Sequence, residues 1–169
     1  MKTIYLAGGC FWGAQHFIRQ IDGVLSTRVG YANGNTENPT YEQVKYRRTG
    51  HAETVEVVYD ETLLPTRELL DYYFHAVDPL ALNRQGPDEG VQYRTGIWFT
   101  DESLRPDAEA ALAELEARLG QKPVIECGPL LQFFPAEEYH QDYLIKNPAG
   151  YCHIPRDLIR KVREAKGKK

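Results

Sequence analysis

The chain is poor in cysteine and has no apolar run long enough to span a membrane. Its three cysteines, Cys10, Cys127 and Cys152 among 169 residues, cannot form the disulfide framework of a small secreted domain. They lack C-x-x-C spacing, and the adjacent pair Cys152-His153 has no nearby partners in sequence, so structural zinc is not expected. Positive charge is not in excess either. Against 24 Asp and Glu stand 20 Lys and Arg, a formal net charge of -4, which argues against a nucleic-acid partner. The basic residues are scattered except at the C-terminus, where 156–169 is expected to be a basic, solvated tail. A secretory leader is absent from the reading: only Lys2 precedes the apolar residues 3–7, and Gly13, Gln15 and His16 interrupt too early. The segment Leu6-Ala7-Gly8-Gly9-Cys10 faintly resembles a lipoprotein cleavage site, but its flanks are too short for export. No repeat, low-complexity block or linker divides the chain. The expectation is one domain over residues 1–169, cytoplasmic, without membrane attachment, and large enough to bury a core without staples.

What is present centres on Gly8-Gly9-Cys10-Phe11-Trp12-Gly13. An apolar strand over 3–8 precedes it. A helix from about Cys10 to Gln20 follows, its apolar residues Phe11, Ala14, Phe17, Ile18 and Ile21 recurring at steps of three and four. Cys10 therefore sits where a strand becomes a helix. Unpaired N–H groups of the first helical turn favour a thiolate there, and the flanking glycines leave the sulfur open. The pattern points to a nucleophile, although a cysteine at such a turn can also fill core space.

Downstream, a strand is expected over 24–31, a loop over 32–39, and a short helix over 41–48 capped by Thr40. The strand over 51–59 alternates, with Val55, Val57 and Tyr59 on one face. Glu53 shares that face. A carboxylate pointing inward costs several kcal/mol unless it is paired or protonated. The alternative is a frayed strand start with Glu53 in water. A helix then begins at Pro65-Thr66 and ends before Asp78-Pro79. The long polar stretch 80–94 carries Asn83, Arg84, Gln85, Asp88 and Tyr93 among glycines, which suits a functional loop. Further expected elements are a strand over 95–99, a helix over 105–119 with Leu112, Leu115 and Leu119 in register, a strand over 124–127, and a helix over 136–144. Cys152 falls on a Pro/Gly-flanked loop. Cys127, in a strand, reads as a packed residue, and His51 and His140 as structural.

Five motifs in order give the chain a resemblance to the A-type peptide methionine sulfoxide reductases over about residues 3–155. They are Gly9-Cys10-Phe11-Trp12-Gly13, Gly50-His51-Ala52-Glu53, Asn83-Arg84-Gln85-Gly86 with Asp88 and Gln92-Tyr93-Arg94, Glu138-Tyr139-His140-Gln141-Asp142-Tyr143, and Asn147-Pro148 with Gly150-Tyr151-Cys152. The resemblance implies an α+β fold, a two-layer sandwich with a ferredoxin-like core and long irregular loops. It implies reduction of the S-epimer of methionine sulfoxide, free or in oxidised proteins, as repair after oxidative stress, by a monomer with no bound cofactor. In that frame Cys10 is the nucleophile and Glu53 the acid. Tyr41 and Tyr93 hold the sulfoxide oxygen, and Asp88 is a further polar member of the site. Phe11 and Trp12 wall the substrate methyl group. Cys152 is the resolving cysteine, and thioredoxin the reductant.

The chemistry agrees with those assignments. A sulfoxide sulfur becomes electrophilic as its oxygen is protonated, so thiol and acid must converge on one centre. A buried carboxyl with a raised pKa can supply the proton near neutrality. The resulting sulfenic acid condenses with a second thiol, and thiol–disulfide exchange closes the cycle. Two other readings use some of the same residues: a thiol hydrolase or acyl transferase built on Cys10, a histidine and Asp88, and a non-catalytic module binding through Phe11 and Trp12.

Overall fold

Alternation along the strands decides which way the sheet faces. A computed structural model describes residues 1–165. In chain order it contains β1 (Lys2–Ala7), α1 (Phe11–Ile18), β2 (Val24–Ala32), α2 (Tyr41–Tyr46), β3 (Ala52–Tyr59), α3 (Thr66–Ala76), β4 (Arg84–Gln85), β5 (Asp88–Glu89), β6 (Gly96–Phe99), α4 (Arg105–Leu119), β7 (Glu126–Pro129), β8 (Phe133–Pro135), α5 (Tyr143–Lys146) and α6 (Arg156–Ala165). One face of the sheet presents Ile4, Leu6, Val29, Tyr31, Val55, Val57, Ile97 and Phe99. They form one core with Phe11 and Phe17 of α1, Leu69 and Leu70 of α3, and Ala108 and Leu115 of α4. The opposite face carries a smaller cluster of Tyr5, Ala7, Ala32, Ala52 and Trp98, covered by Leu130 and Phe133. The helices thus share one side, giving two layers.

The six strands run in the order β7-β6-β1-β3-β2-β8. Every neighbouring pair is antiparallel except β6 with β7. The inner four, β6-β1-β3-β2, are joined through α1 and α3 in the βαββαβ pattern of a ferredoxin-like core, as the resemblance implied. Strand order was not legible beforehand. The loop over 80–94 folds into the small β4–β5 hairpin and a 3-10 turn, Val91–Tyr93. Thr40 caps α2 as expected: its hydroxyl accepts from the Gln43 N–H while the Gln43 side chain accepts from the Thr40 N–H.

Three expectations are corrected. The helix over 136–144 is instead a 3-10 turn, Glu138–His140, and the short α5, separated by Asp142 at φ 52°. The cause is the edge of β2, where the Gln141 side chain accepts from the Val29 N–H and donates to the Val29 carbonyl, each at 2.9 Å. That pairing holds the segment off the helical path. In α4 the buried positions are Ala108, Ala111 and Leu115, while Leu119 is exposed, because small residues let the helix sit close to the sheet. The expected basic tail over 156–169 is ordered as α6 through Ala165, whereas 166–169 lie outside the described residues. Ile159 and Val162, three apart, turn into the core, and Arg163 donates to the Gln20 side-chain carbonyl. Basic composition concealed an amphipathic helix. Among the described residues no helix is long and apolar enough to cross a membrane.

Ile159→Ala tests this packing. Removing a side chain buried in the core should lower the unfolding free energy by about 2–4 kcal/mol in urea titration. An unchanged midpoint is the result a solvated tail would give.

Candidate active site

Cys10 is the N-cap of α1, in extended conformation at φ -63° and ψ 128°, and only 9% exposed. Gly9 before it takes φ 75°, a left-handed turn that costs glycine little, and its N–H donates to the Tyr93 carbonyl at 3.1 Å. That bond ties the Val91–Tyr93 turn to the cysteine turn. Glu53 points inward from β3, on the face of Val55 and Val57, and is fully buried apart from 2% of its surface. Its Oε1 accepts the Phe11 N–H at 3.1 Å. The carboxyl therefore occupies the start of α1, one residue from Cys10, and the frayed-strand alternative is excluded.

Burial sets the protonation of the site. Desolvation raises the Glu53 pKa to about 8; the Phe11 N–H opposes this, and the charge of Asp88 adds to it. At neutral pH the group is mainly a carboxylic acid. Desolvation also pushes the Cys10 thiol far above the usual thiol range, with Glu53 and Asp88 contributing, against the backbone N–H groups of Trp12 and Gly13. This corrects the expectation of a standing thiolate: the helix start helps, but burial outweighs it. Tyr41 is raised to about 12, first by burial and then by Glu53 and Cys10, so its hydroxyl keeps its proton. Tyr93 is raised likewise by burial, then by Glu53, Tyr41, Cys10 and Asp88. The fold thus brings Cys10, Glu53, Tyr41, Tyr93 and Asp88 within electrostatic reach of one another.

The aromatic residues form a layered wall. Phe11 is wholly buried, its ring centroid 5.7 Å from Tyr31 and 5.2 Å from His140. Trp12 is partly exposed and stacks on Tyr143 at 3.7 Å and 12°. Its indole N–H donates to His140 Nδ1 at 2.9 Å. Burial lowers the His140 pKa, consistent with a neutral ring accepting at Nδ1. His140 thus positions Trp12, while His51 is bonded through Nδ1 to Thr49 and through Nε2 to Gln132.

Asp88 accepts the Tyr151 hydroxyl at 2.9 Å, joining the 80–94 loop to the loop that carries Cys152. Cys152 is half-buried, its sulfur 3.4 Å from the Ile154 carbonyl. A methyl group built on Gly13 would meet that sulfur at 3.0 Å, so Cys152 lies against the first turn of α1. All three cysteines are free thiols. Cys127, on β7, has its thiol pushed up by burial and then by Glu109, with Arg105 opposing, and is not brought to the site. Among the described residues no group of three or more His, Cys, Asp or Glu could hold a metal.

Two residues escaped the sequence reading. Glu137 accepts the Tyr31 hydroxyl at 2.8 Å and the Tyr41 N–H at 3.1 Å, and so holds the start of α2 over the site. Burial raises its pKa, but bonds from its own backbone, the Tyr41 N–H and the Tyr31 hydroxyl bring it below the ordinary value. Nothing in the local pattern distinguishes it from Glu138 beside it. His153 was noted only for its adjacency to Cys152, yet it packs on Gly9 and Gly13.

A buried thiol beside a carboxylic acid, with a second thiol on a loop packed against the same helical turn, is the layout of a thiol-dependent oxidoreductase. The chain belongs to the peptide methionine sulfoxide reductases: the family model of that description matches residues 2–169. It is 54% identical over 153 residues to the peptide methionine sulfoxide reductase MsrA of Lachnoclostridium phytofermentans, covering 90% of this chain and 92% of that one. Mxr1 from Saccharomyces cerevisiae in its reduced form superposes with a TM-score of 0.84 at 38% identity, over 89% of this chain and 88% of that one. The same yeast protein in complex with Trx2 matches with a TM-score of 0.59 at 26% identity, over 84% of each chain. The protein is a methionine sulfoxide reductase, and the hydrolase and binding-module readings fall.

The raised pKa of Glu53 has a signature in stability. Its carboxyl ionises at about 4.5 unfolded and about 8 folded, so folding favours the neutral form. This stabilisation is complete below pH 4.5 and is lost as pH rises through about 8. Glu53→Gln lacks the titration. The wild type should lose stability relative to the variant across that window, by an amount on the order of a few kcal/mol, in urea unfolding at several pH values. A constant difference would mean an unperturbed carboxyl.

Proposed function

We propose that one domain, residues 1–169, reduces the S-epimer of methionine sulfoxide in proteins or as the free amino acid, with Cys10 as nucleophile and Glu53 as acid. The observation that carries this reading is the neutral, buried Glu53 carboxyl bonded to the Phe11 N–H. A carboxyl held there in its acid form can protonate a sulfoxide oxygen as the sulfur meets Cys10, whose thiol proton restores the acid. Tyr41 and Tyr93, both kept protonated, donate to that oxygen. Trp12, backed by the buried Phe11, walls the methyl group. A methyl pocket alone discriminates by about 1–3 kcal/mol, so epimer choice rests on the pocket and the directed donors together. Asp88 acts through Tyr151 by holding the Cys152 loop over the site.

The oxygen passes from substrate to Cys10, releasing methionine and leaving a sulfenic acid. The Cys152 thiol displaces it as water and forms the Cys10–Cys152 disulfide. Thioredoxin then reduces the disulfide by exchange, a partner supported by the yeast relative's complex with Trx2. In this reading the enzyme works as a monomer in the cytoplasm, where such a reductant keeps thiols reduced.

Cys152→Ser should release one methionine per enzyme in a rapid-quench assay and then fail to turn over with thioredoxin. Full turnover by that variant would remove Cys152 from the cycle. Glu53→Gln should slow the single-turnover release of methionine on the order of a hundredfold, since an amide cannot deliver the proton. A wild-type rate would assign the proton to another group.

A further inference from the structure

His153 is an imidazole shielded from solvent. The nearby Gly8 carbonyl apart, its two ring nitrogens have no hydrogen-bond partner among the described residues. Buried polar atoms are nearly always satisfied, and leaving one unpaired costs about 1–3 kcal/mol. Its position is defined by two glycines of the cysteine turn. A Cβ at Gly9 would stand 2.6 Å from Nε2, and one at Gly13 would stand 3.0 Å from Nδ1. The Cys152 sulfur is also 3.0 Å from that same point at Gly13. Cys10 lies between the two glycines in the chain. Nδ1 of the ring and the Cys152 sulfur thus both lie against Gly13, and Nε2 lies against Gly9, on either side of Cys10 in the chain.

Its chemistry matches its place. Burial lowers the ring's pKa, with Asp88 and the nearby Gly8 carbonyl opposing, so a neutral ring with one accepting nitrogen is favoured. Burial also raises the Cys152 thiol, against the Ile154 backbone and Arg156. A thiol held above its ordinary pKa attacks poorly unless a base removes its proton.

We propose that His153 is the general base of disulfide formation, taking the proton of the Cys152 thiol as its sulfur attacks the Cys10 sulfenic acid. The inference rests on the Cys10–Cys152 cycle described above. The sulfur–sulfur bond forms as the Cys10 sulfur–oxygen bond breaks, and the departing hydroxide takes the proton from the imidazolium and leaves as water. The ring ends neutral, and no outside oxidant or reductant is needed. Sulfoxide reduction, whose proton comes from Glu53, precedes this step and does not use the ring.

The test separates the two half-reactions. Reduced protein is mixed with methionine sulfoxide and quenched over time; methionine release is followed by chromatography, and the Cys10–Cys152 disulfide by mass spectrometry. In His153→Gln, methionine release should stay within about twofold of wild type. Disulfide formation should slow on the order of a hundredfold. The waiting sulfenic acid should be trapped by dimedone, and imidazole in the buffer should restore part of the rate. His153→Asn, a smaller side chain against Gly9 and Gly13, should show the same split. Disulfide formation at the wild-type rate in either folded variant overturns the proposal, as does an equal loss in both steps without imidazole rescue. Methionine release by wild type without a Cys10–Cys152 disulfide would overturn the underlying cycle itself.

Discussion

The hydrogen bond from the Phe11 N–H to Glu53 joins the two halves of the chemistry, and the sheet exists in the order that permits it. β1 and β3 are neighbours, registered so that Ala7 faces Thr54. The chain leaving β1 therefore turns directly over the inward side chain of Glu53. Without the first turn of α1 above it, that carboxyl would lie among Val55, Val57 and Tyr31 with no donor, at a cost of several kcal/mol. The helix start in turn has its Phe11 N–H satisfied by this side chain from across the sheet. Each feature is tolerable because of the other.

Burial keeps both Cys10 and Glu53 uncharged at rest. The acid holds its proton near neutrality, and the thiol holds its own well beyond it. A charged resting pair would be costly in this enclosure, and carboxylate beside thiolate costlier still. The site thus rests with both protons in place, and in the proposed cycle a substrate oxygen is the acceptor. The core behind it contains no methionine, so an oxidant finds no thioether there to convert into a polar group.

Features fixed by local pattern were legible in the sequence. The strand-to-helix turn at Cys10 follows from a change in apolar period, the inward face of Glu53 from period-two alternation, and the Thr40 cap from one residue type at one position. Features fixed by distant partners were not. Gln141 breaks an otherwise helical segment because it finds the Val29 backbone, 112 positions away. Glu137 is distinguished from Glu138 only by the two tyrosines it meets. The charge state of Cys10 depended on how deeply the turn is covered, which no spacing encodes. The family motifs named candidates for the site; the contacts show what holds each in place.

The helix α6 gives the loop before it a second fixed end. Residues 147–155 leave α5 and must return to the core at Ile154, 2% exposed, before α6 packs down. A thiol strung between two anchors samples a small volume, and its effective concentration at a neighbouring sulfur is about millimolar or higher. A sulfenic acid facing such a thiol is short-lived. The irreversible steps to sulfinic and sulfonic acid need a second encounter with oxidant during that lifetime. In the proposed cycle the docked C-terminal helix thereby shields the Cys10 sulfenic acid from the oxidising conditions under which the substrate arises.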